Sequence, residues 1–243
     1  MRTNLRVGII KNWIINYVNK MPKKASALSV GVSGGIDSAV VSTISAMTEI
    51  ETFVLSMPIR QIKSQDNLSK SHCRWLKKRF KNIKYYNIDL NNAFATFEES
   101  IGNHNSEHAF ANSRARLRMT TLYQVAGSNN GIVVGTGNKV EDFGVGFYTK
   151  YGDGGVDISP IGDCTKTQVW EMGKFLKIND KIINAPPTDG LWSDGRNDED
   201  QIGMSYEELE DAMINPNSKN YKKYKKIRDN NLHKMTKIPV CKF

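Results

Sequence analysis

The sequence has few cysteines and lacks long hydrophobic runs. Cys73, Cys164 and Cys241 are scattered along 243 residues, so they form neither a disulfide framework nor a metal-ligand spacing. Such sparse cysteine usage favours a reducing cytoplasm. No stretch reaches the run of about 18 apolar residues that a helical membrane span requires. Lys11 and Asn12 interrupt the apolar N-terminal stretch, which argues against a secretory signal peptide.

The balance of charges is basic, but it is unevenly distributed. There are 34 Lys and Arg residues against 25 Asp and Glu residues, a formal net charge of +9. Eight of the basic residues lie in 219–237, directly after an acidic segment, 189–211, that carries nine acidic residues and one arginine. These two segments can attract each other, and a basic run is usually a solvated surface. We therefore expect neither nucleic acid nor a membrane as a partner.

Composition and periodicity predict one soluble α/β domain over 1–243. Hydrophobic residues make up 39% of the chain and the mean hydropathy is −0.48, which excludes a wholly disordered protein. Apolar residues at helical spacing predict an N-terminal helix within 1–24. Strands are predicted at 27–32, 52–57, 85–88 and 131–135, and helices at 37–47, 65–80 and 108–126. Alternating strands and helices indicate a mainly parallel sheet with helices on both faces.

Two further segments are not expected to form regular structure. Gly135–Asp163 contains eight glycines, too many for a regular element, and long loops in compact domains are usually functional. Residues 184–243 combine the acidic segment and the basic tail with few apolar side chains. We expect them to form a mobile acidic loop and a mobile basic C-terminal tail.

The turn after the first predicted strand is a candidate phosphate-binding loop. It reads Gly31-Val32-Ser33-Gly34-Gly35-Ile36-Asp37-Ser38. A strand, a glycine turn and a helix start together present free backbone N–H groups to an anion. A carboxylate such as Asp37 fits a phosphate site if Mg²⁺ lies between the two. The loop lacks the Gly-Lys-Ser/Thr of the P-loop and the G-x-G-x-x-G dinucleotide fingerprint. An ordinary strand-to-helix turn, with Asp37 as a first-turn charge, is the structural alternative.

The octet S-G-G-x-D-S resembles the pyrophosphate loop of the N-type ATP pyrophosphatases, which cleave ATP to AMP and pyrophosphate. Within that superfamily the later motifs distinguish one branch. They are 135–142 (GTGNKVED), 147–155 (FYTKYGDGG), 156–161 (VDISPI), 165–169 (TKTQV), 187–192 (PTDGLW), 198–201 (DEDQ) and 233–235 (HKM). In this order they resemble the NAD⁺ synthetase family from about Leu28 to Val240.

The resemblance implies a fold and a set of site residues. The fold would be a Rossmann-like, five-stranded parallel sheet of the adenine-nucleotide hydrolase type, with the site at the carboxyl edge of its strands. Asp37, Lys166 and Thr188 would be catalytic, and Asp37 with Glu141 would hold Mg²⁺. ATP would be bound by Gly31, Val32, Ser33, Gly34, Gly35, Ile36, Asp37, Ser38, Thr136, Lys166 and Thr188. Deamido-NAD⁺ would be bound by Arg116, Lys150, Asp157, His233 and Lys234.

The resemblance also implies a reaction. Deamido-NAD⁺ would be amidated to NAD⁺ through an acyl-adenylate, with release of AMP and pyrophosphate. The phosphate loop starts at residue 31, which leaves room in this chain for about one helix and for no glutaminase ahead of it. We therefore expect free ammonia, or an amidase acting in trans, to supply the nitrogen. Family members of this kind are homodimers, with the dinucleotide site completed at the interface.

Other interpretations stay open at this stage. Another ATP pyrophosphatase, such as a tRNA-modifying enzyme, would also be basic and carry the loop, and a non-enzymatic nucleic-acid-binding protein would explain the charge alone. Arg114, Arg116 and Arg118 lie on one predicted helix, where arginines are ordinarily solvated. Arg60 and Gln61 follow the second strand, where members of the superfamily contact adenine. Trp192 and Tyr206 are interpreted as packing residues.

Overall fold

A parallel β-sheet is the centre of the computed structural model, which describes residues 1–188, 190–192 and 197–243. Its strands are β1 (Ala27–Gly31), β2 (Glu51–Ser56), β3 (Ile83–Asn87) and β4 (Gly131–Val133), arranged β3-β2-β1-β4. All neighbouring pairs are parallel, and the β1–β2 register places Ala27 opposite Glu51. Because every strand runs the same way, all carboxyl ends lie at one edge.

Ten α-helices connect or cover these strands in the described residues. They are α1 (Thr3–Lys20), α2 (Ile36–Met47), α3 (Lys63–Arg79), α4 (Asn91–Ile101), α5 (Glu107–Ser128), α6 (Lys166–Phe175), α7 (Asp180–Ile183), α8 (Asp198–Ile202), α9 (Tyr206–Ile214) and α10 (Tyr221–Met235). A π-helix, Lys139–Val145, follows β4. None of the described helices is long and apolar enough to cross a membrane.

The strand side chains alternate between two helical layers. On one face, Leu28 and Val30 of β1 pack with the apolar sides of α1, α2 and α6. On the other face, Phe53 and Leu55 of β2 pack with Leu90 and Phe94, near α5. Alternation follows from the two-residue period of a strand, whose successive side chains point to opposite faces. The result is the predicted α/β arrangement, with a helical layer on each side.

The sheet has four described strands rather than the five implied by the family resemblance. At the position of a fifth strand, beside β4, there is one parallel bridge between Val134 and Ile158. The Gly135 N–H donates to the Ile158 carbonyl at 2.7 Å. Pro160 follows two residues later and has no N–H to continue a ladder. The chain therefore leaves the sheet after a single bridge.

The glycine-rich segment is more regular than expected. Within Gly135–Asp163 the chain forms the π-helix, and the Asn138 side chain caps its first turn by accepting from the N–H groups of Val140 and Glu141 at 3.0 and 3.1 Å. The prediction that this segment lacks regular structure was wrong for 139–145, while 135–138 and 146–163 form no helix or named strand. An N-terminal cap and buried Val140 and Val145 compensate for the conformational freedom of the glycines.

The C-terminal residues form helices that pack against this π-helix. Leu209 of α9 and Tyr224 of α10 share an apolar cluster with Val140 and Val145. The Asn231 side chain donates to the Val145 carbonyl at 2.9 Å. Residues 206–214 and 221–235 are thus helical in this structure, whereas 189 and 193–196 of the acidic segment lie outside the described residues. Mobility of 184–243 stays a prediction.

Candidate active site

A cleft of about 220 Å³ opens at the carboxyl edge of β1 and β4. It is bounded by the turn between β1 and α2, the residues after β4, the start of α6 and the segment around Thr188. Almost all the residues predicted to bind ATP or Mg²⁺ line it: Gly31, Val32, Ser33, Gly35, Ile36, Asp37, Ser38, Thr136, Glu141, Lys166 and Thr188. The topology of parallel strands brings these distant segments together.

Hydrogen bonds among its own side chains hold the glycine turn open. The Ser38 hydroxyl donates to the Gly35 carbonyl at 3.0 Å and accepts from the Ser33 N–H at 3.2 Å. The Gly35 N–H donates to the Ser33 hydroxyl at 3.2 Å. Gly34 has φ of +99°, and a Cβ there would lie 2.7 Å from the Gln65 carbonyl oxygen. Only glycine fits this position; Gly34 faces α3 and, alone among the residues of 31–38, does not line the cleft.

Three buried charged groups meet beside this turn. The Lys166 Nζ lies 2.6 Å from Asp37 Oδ2 and 2.9 Å from Glu141 Oε1. The Lys166 side chain is only 3% exposed, and those of Asp37 and Glu141 are 16% and 15% exposed. Two carboxylates and one ammonium group leave a net negative charge in a region of low dielectric. Such a site favours an additional cation.

The pKa values of the three groups depend on one another. Burial raises the pKa of Asp37 above its usual range, and the nearby Lys166 charge only partly offsets this. Burial also acts to raise the pKa of Glu141, but the Lys166 charge and hydrogen bonds from Tyr206, Lys166 and Asn138 together lower it. Burial alone would lower the pKa of Lys166, yet the two carboxylates raise it, so Lys166 is held as a cation.

Asn138 links the two carboxylates from the other side. Its Nδ2 group donates to Asp37 Oδ1 at 3.0 Å, while its Oδ1 atom caps the π-helix that carries Glu141. Asn138 is completely buried. Asn138 lies within the motif 135–142, but the sequence indicated no role for it. The signal that could have found it is an asparagine directly before a helical turn, since asparagine is a preferred N-cap.

Four of the five residues predicted to bind deamido-NAD⁺ lie together, outside the lining of the cleft. The Arg116 Nε group donates to the Lys150 carbonyl at 3.3 Å, and the Lys150 Nζ donates to the His233 carbonyl at 3.1 Å. The Lys234 Nζ donates to the Tyr148 carbonyl at 2.8 Å. Arg116 is exposed. The structure thus brings α5, the segment after the π-helix and the end of α10 into one basic cluster.

Asp157, the fifth of these residues, is engaged in the sheet edge. Its Oδ1 atom accepts from the Tyr123 hydroxyl at 3.0 Å, and its Oδ2 atom accepts from the Val133 N–H at 2.7 Å. Both contacts hold the segment after the glycines against β4 and α5. In this structure Asp157 is not part of the basic cluster.

The arginines of α5 are less solvated than sequence analysis expected. Arg114 is only 8% exposed, donates to the Leu191 carbonyl and lies over the Phe94 ring at 5.5 Å. Arg118 lines the cleft, and its Nε group donates to the Met57 carbonyl at 3.0 Å. The surface interpretation was wrong for both, because each side chain donates to a carbonyl group of a neighbouring segment, whereas Arg116 of the same helix is exposed.

The two candidate adenine-contacting residues take different positions. Gln61 lines the cleft and its Oε1 atom accepts from Arg118 at 3.4 Å. Arg60 instead forms an ion pair with Glu98 and lies over the Phe94 ring at 5.8 Å. Only Gln61 therefore faces the space beside the glycine turn.

The cleft also contains three carboxylates for which the sequence indicated no role, Asp142, Asp153 and Asp198. Burial raises the pKa of Asp142 well above its usual range, and Glu141, Asp153 and Asp37 raise it further, whereas Lys234 lowers it. Gly137 leaves the room that the Asp142 carboxylate occupies, since a Cβ there would overlap it. Further carboxyl groups thus lie close to Asp37 and Glu141.

Tyr206 is more than a packing residue. Its ring is buried and packs edge-on against Trp170 at 5.9 Å, as the packing interpretation requires. Its hydroxyl, however, lies 2.6 Å from Glu141 Oε1 and 3.1 Å from Asp198 Oδ2. Trp192, the other residue in that interpretation, has its ring 6.1 Å from His108.

The donor set suits a divalent cation held jointly with phosphates. Within the described part of the chain, no three His, Cys, Asp or Glu side chains converge as a metal centre. Asp37 and Glu141 do converge, on one Lys166 ammonium group. Mg²⁺ is commonly bound by one or two carboxylates together with substrate phosphates and water. The two carboxylates beside a glycine turn fit that pattern.

Comparison with known proteins identifies the family. The model of the NAD synthase family matches residues 7–242. The chain belongs to the NAD synthase family. It is 37% identical over 209 residues to an NH₃-dependent NAD⁺ synthetase of Carboxydothermus hydrogenoformans, covering 83% of each chain. As a member of this family the chain is an ATP-binding enzyme, a ligase that forms a C–N bond.

Two solved structures extend the comparison. The NMN synthetase of Francisella tularensis superposes with a TM-score of 0.91 at 31% identity, over 100% of both chains. The NH₃-dependent NAD synthetase of Campylobacter jejuni superposes with a TM-score of 0.79 at 24% identity, also over 100% of both chains. The second likeness, at that identity, concerns the fold alone. The predicted α/β architecture is confirmed.

Proposed function

We propose that this protein is an ammonia-dependent NAD⁺ synthetase, which amidates the nicotinate carboxylate of deamido-NAD⁺ at the expense of ATP. The observation that carries the proposal is the convergence of Asp37, Glu141 and Lys166 beside the glycine turn. In a kinase P-loop a lysine of the loop itself binds the phosphates. Here a lysine from α6 would bind them, together with Mg²⁺ held by two carboxylates. That arrangement suits ATP cleavage between the α- and β-phosphates with Mg²⁺ on the pyrophosphate.

The first step is adenylation of the carboxylate. The turn of 31–38 would hold the ATP phosphates through backbone N–H groups and the Ser33 and Ser38 hydroxyls. The nicotinate carboxylate attacks the α-phosphorus and pyrophosphate leaves. Lys166 would offset negative charge on the transferring phosphates, while Thr136 and Thr188 line the cleft beside them. Mg²⁺, held by Asp37 and Glu141, would neutralise charge on the phosphates.

The second step is attack by ammonia. Neutral NH₃ adds to the acyl carbon of the adenylate, and AMP leaves with the carboxylate oxygen that had bonded to phosphorus. Adenylation is needed because an oxide ion is a poor leaving group and AMP is a good one. No covalent bond to the enzyme is required, so positioning and charge stabilisation are the contributions of the chain.

Substrate binding would use the basic cluster. Arg116, Lys150, His233 and Lys234 would contact the phosphates and ribose of the nicotinate nucleotide, because lysine and arginine are suited to phosphate recognition. We also propose a homodimer, with the dinucleotide site completed across the interface, and a cytoplasmic location.

A mononucleotide substrate is a second candidate function. The full-length likeness to the Francisella tularensis NMN synthetase, with a TM-score of 0.91, favours it. The chemistry would be identical, since the same nicotinate carboxylate is activated, and only the second half of the dinucleotide would be missing. The two candidates therefore differ in acceptor recognition and not in the centre formed by Asp37, Glu141 and Lys166.

A single set of assays tests the activity and separates the candidates. Purified protein is supplied with ATP, Mg²⁺ and ammonium, and with either deamido-NAD⁺ or nicotinate mononucleotide. We expect AMP, pyrophosphate and the amidated nucleotide in equal amounts, with the higher kcat/KM on deamido-NAD⁺. A higher kcat/KM on the mononucleotide would establish the second candidate, and release of ADP and phosphate would refute both.

The nitrogen source is tested in the same assay. Ammonium should support turnover and glutamine alone should not. At a fixed ammonium concentration the rate should increase toward mildly alkaline pH, because only the neutral form is a nucleophile. Equal rates with glutamine in ammonia-free preparations of this chain would contradict the proposal.

A further inference from the structure

Tyr206 connects the C-terminal helices to the charged centre of the cleft. It is the first residue of α9 and is only 1% exposed. Its backbone N–H donates to Glu199 Oε1 at 2.9 Å, and its hydroxyl lies 3.1 Å from Asp198 Oδ2. Its backbone end is therefore held by α8, and its hydroxyl end lies against the same helix. The same hydroxyl reaches Glu141 of the π-helix at 2.6 Å.

The hydroxyl restricts Glu141 to one orientation. A phenol has a single proton, and the shorter contact, to Glu141, is the one suited to receive it. Glu141 Oε1 then accepts from two groups, the Tyr206 hydroxyl and the Lys166 ammonium at 2.9 Å. Both donors act on the same oxygen. With Oε1 held by these two donors and a further hydrogen bond from the Asn138 side chain, the Glu141 carboxylate keeps one orientation at the cleft that it lines.

The Tyr206 ring adds a contact to the second partner of Glu141. The Lys166 Nζ lies 4.8 Å from the centre of the ring, a distance at which an ammonium group is attracted to an aromatic face. Tyr206 thus contacts both the carboxylate and the ammonium group of the pair. The aromatic ring packs against Trp170 of α6, the helix that carries Lys166.

We infer that Tyr206 is a positioning residue, which holds Glu141 in its cation-binding orientation and links that orientation to the seating of α8 and α9. The inference rests on the proposed role of Glu141 at the metal and ATP site. Seating of α8 and α9 places Tyr206, Tyr206 fixes Glu141 Oε1, and the fixed carboxylate is presented to the cation.

The test is Tyr206→Phe, which keeps the ring and removes only the hydroxyl. The probe is Mn²⁺ in place of Mg²⁺, titrated onto the whole protein in the presence of ATP and without acceptor nucleotide, and followed by electron paramagnetic resonance. We expect the dissociation constant for Mn²⁺ to increase about tenfold, as loss of a hydrogen bond to a charged group implies. The KM for deamido-NAD⁺ should change less than twofold.

Two controls separate positioning from general stability. Tyr224→Phe removes a hydroxyl from a tyrosine of the same apolar cluster, and it should leave Mn²⁺ affinity unchanged. In a Glu141→Gln background, Tyr206→Phe should have no further effect on Mn²⁺ affinity, because the two changes act on one interaction. Additive losses would overturn the inference, as would wild-type Mn²⁺ affinity in folded Tyr206→Phe.

A second variant applies if Tyr206→Phe does not fold. Glu199→Ala leaves the tyrosine in place and removes the acceptor of its backbone N–H, which weakens its tie to α8. Mn²⁺ affinity should then decrease at least threefold, and an unchanged affinity would overturn the inference. Since Mn²⁺ binding is read without turnover, failure of the proposed amidation activity would leave this result interpretable by itself.

Discussion

Lys166 Nζ lies 2.6 Å from Asp37 Oδ2, although 129 residues separate them in the chain. Asp37 lies in the first turn of α2 at the glycine turn, and Lys166 begins α6. The two helix starts meet at the edge of the sheet where the cleft opens. Through this pair the phosphate loop and the second half of the chain share one charged centre, and Glu141 completes it.

Without the buried Lys166 ammonium group, Asp37 and Glu141 should bind a divalent cation more tightly. In Lys166→Met, Asp37 and Glu141 lose their shared partner, and the free energy of unfolding should fall by about 3 kcal/mol or more. Millimolar Mg²⁺ should restore part of this loss and raise the Tm more than in the wild type. Thermal unfolding with and without Mg²⁺ measures both effects.

Lys139→Met is the matched control for that experiment. Lys139 pairs with Asp163 at 2.9 Å on the surface, where the two side chains are 41% and 95% exposed. Its loss should change the free energy of unfolding by less than about 1 kcal/mol, with no dependence on Mg²⁺. An equal Mg²⁺ response in both variants and the wild type would contradict a cation site at Asp37 and Glu141.

Arg116 should affect acceptor binding and not ATP binding. In Arg116→Ala we expect the KM for deamido-NAD⁺ to increase about 10- to 100-fold, since a charge-assisted hydrogen bond to phosphate is lost. The KM for ATP should stay within twofold, because Arg116 does not line the cleft beside the glycine turn. Steady-state kinetics against each substrate checks this, with the exposed Arg79→Ala as control; equal increases in both KM values would contradict it.

Acid should destabilise the protein through His72. Its side chain is buried beside the Ser42 hydroxyl at 3.1 Å, and burial lowers the pKa of His72 from 6.5 to about 4, against a weaker opposing effect of a hydrogen bond to Ala39. The unfolded chain therefore binds this proton more readily. The stability contributed by neutral His72 is complete above pH 6.5 and declines as the pH falls toward 4, by up to about 3 kcal/mol.

Denaturant unfolding of the wild type and His72→Gln between pH 7 and pH 4.5 measures this contribution. The variant should lose less stability than the wild type over that range. His108→Gln, a change at an exposed histidine of α5, should follow the wild type. Parallel curves for the wild type and His72→Gln would show that another group is responsible.

Ligands should protect the basic C-terminal helix from trypsin. α10 carries His233 and Lys234 beside Lys150, and most of its lysines are exposed. We expect cleavage within 219–237 in the free protein and protection when ATP and deamido-NAD⁺ are both bound, because the bound nucleotides would tie this helix to the cleft. Cleavage at an unchanged rate with saturating ligands would show that the helix does not respond to the site.

Local patterns in the sequence were sufficient to predict β1, the glycine turn and α2. The apolar run of β1, the two glycines and the serines of the turn are contiguous, so β1, the turn and α2 follow from short-range pattern. The fifth strand did not form, because Pro160 removes an N–H close to its single bridge. The π-helix was missed because its stability comes from the Asn138 cap and from burial against α9 and α10.

The charged centre could be predicted only in part. Asp37, Glu141 and Lys166 followed from the resemblance to a family, since no local pattern indicates that residues 37 and 166 meet. The hydroxyl contact of Tyr206 depends on the packing of α9 against the π-helix, and Arg118 faces the cleft because of how α5 crosses the sheet. Such contacts arise from tertiary packing, which periodicity does not specify.

The fate of a carboxylate oxygen tests the proposed adenylation most directly. Deamido-NAD⁺ labelled with ¹⁸O in its nicotinate carboxylate is converted with ATP and ammonium, and the phosphates are analysed by mass spectrometry. Because the carboxylate attacks the α-phosphorus and ammonia then displaces AMP, one ¹⁸O atom should appear in each AMP and none in pyrophosphate. Unlabelled AMP, or ¹⁸O in inorganic phosphate, would contradict the acyl-adenylate and with it the proposed role of the cleft.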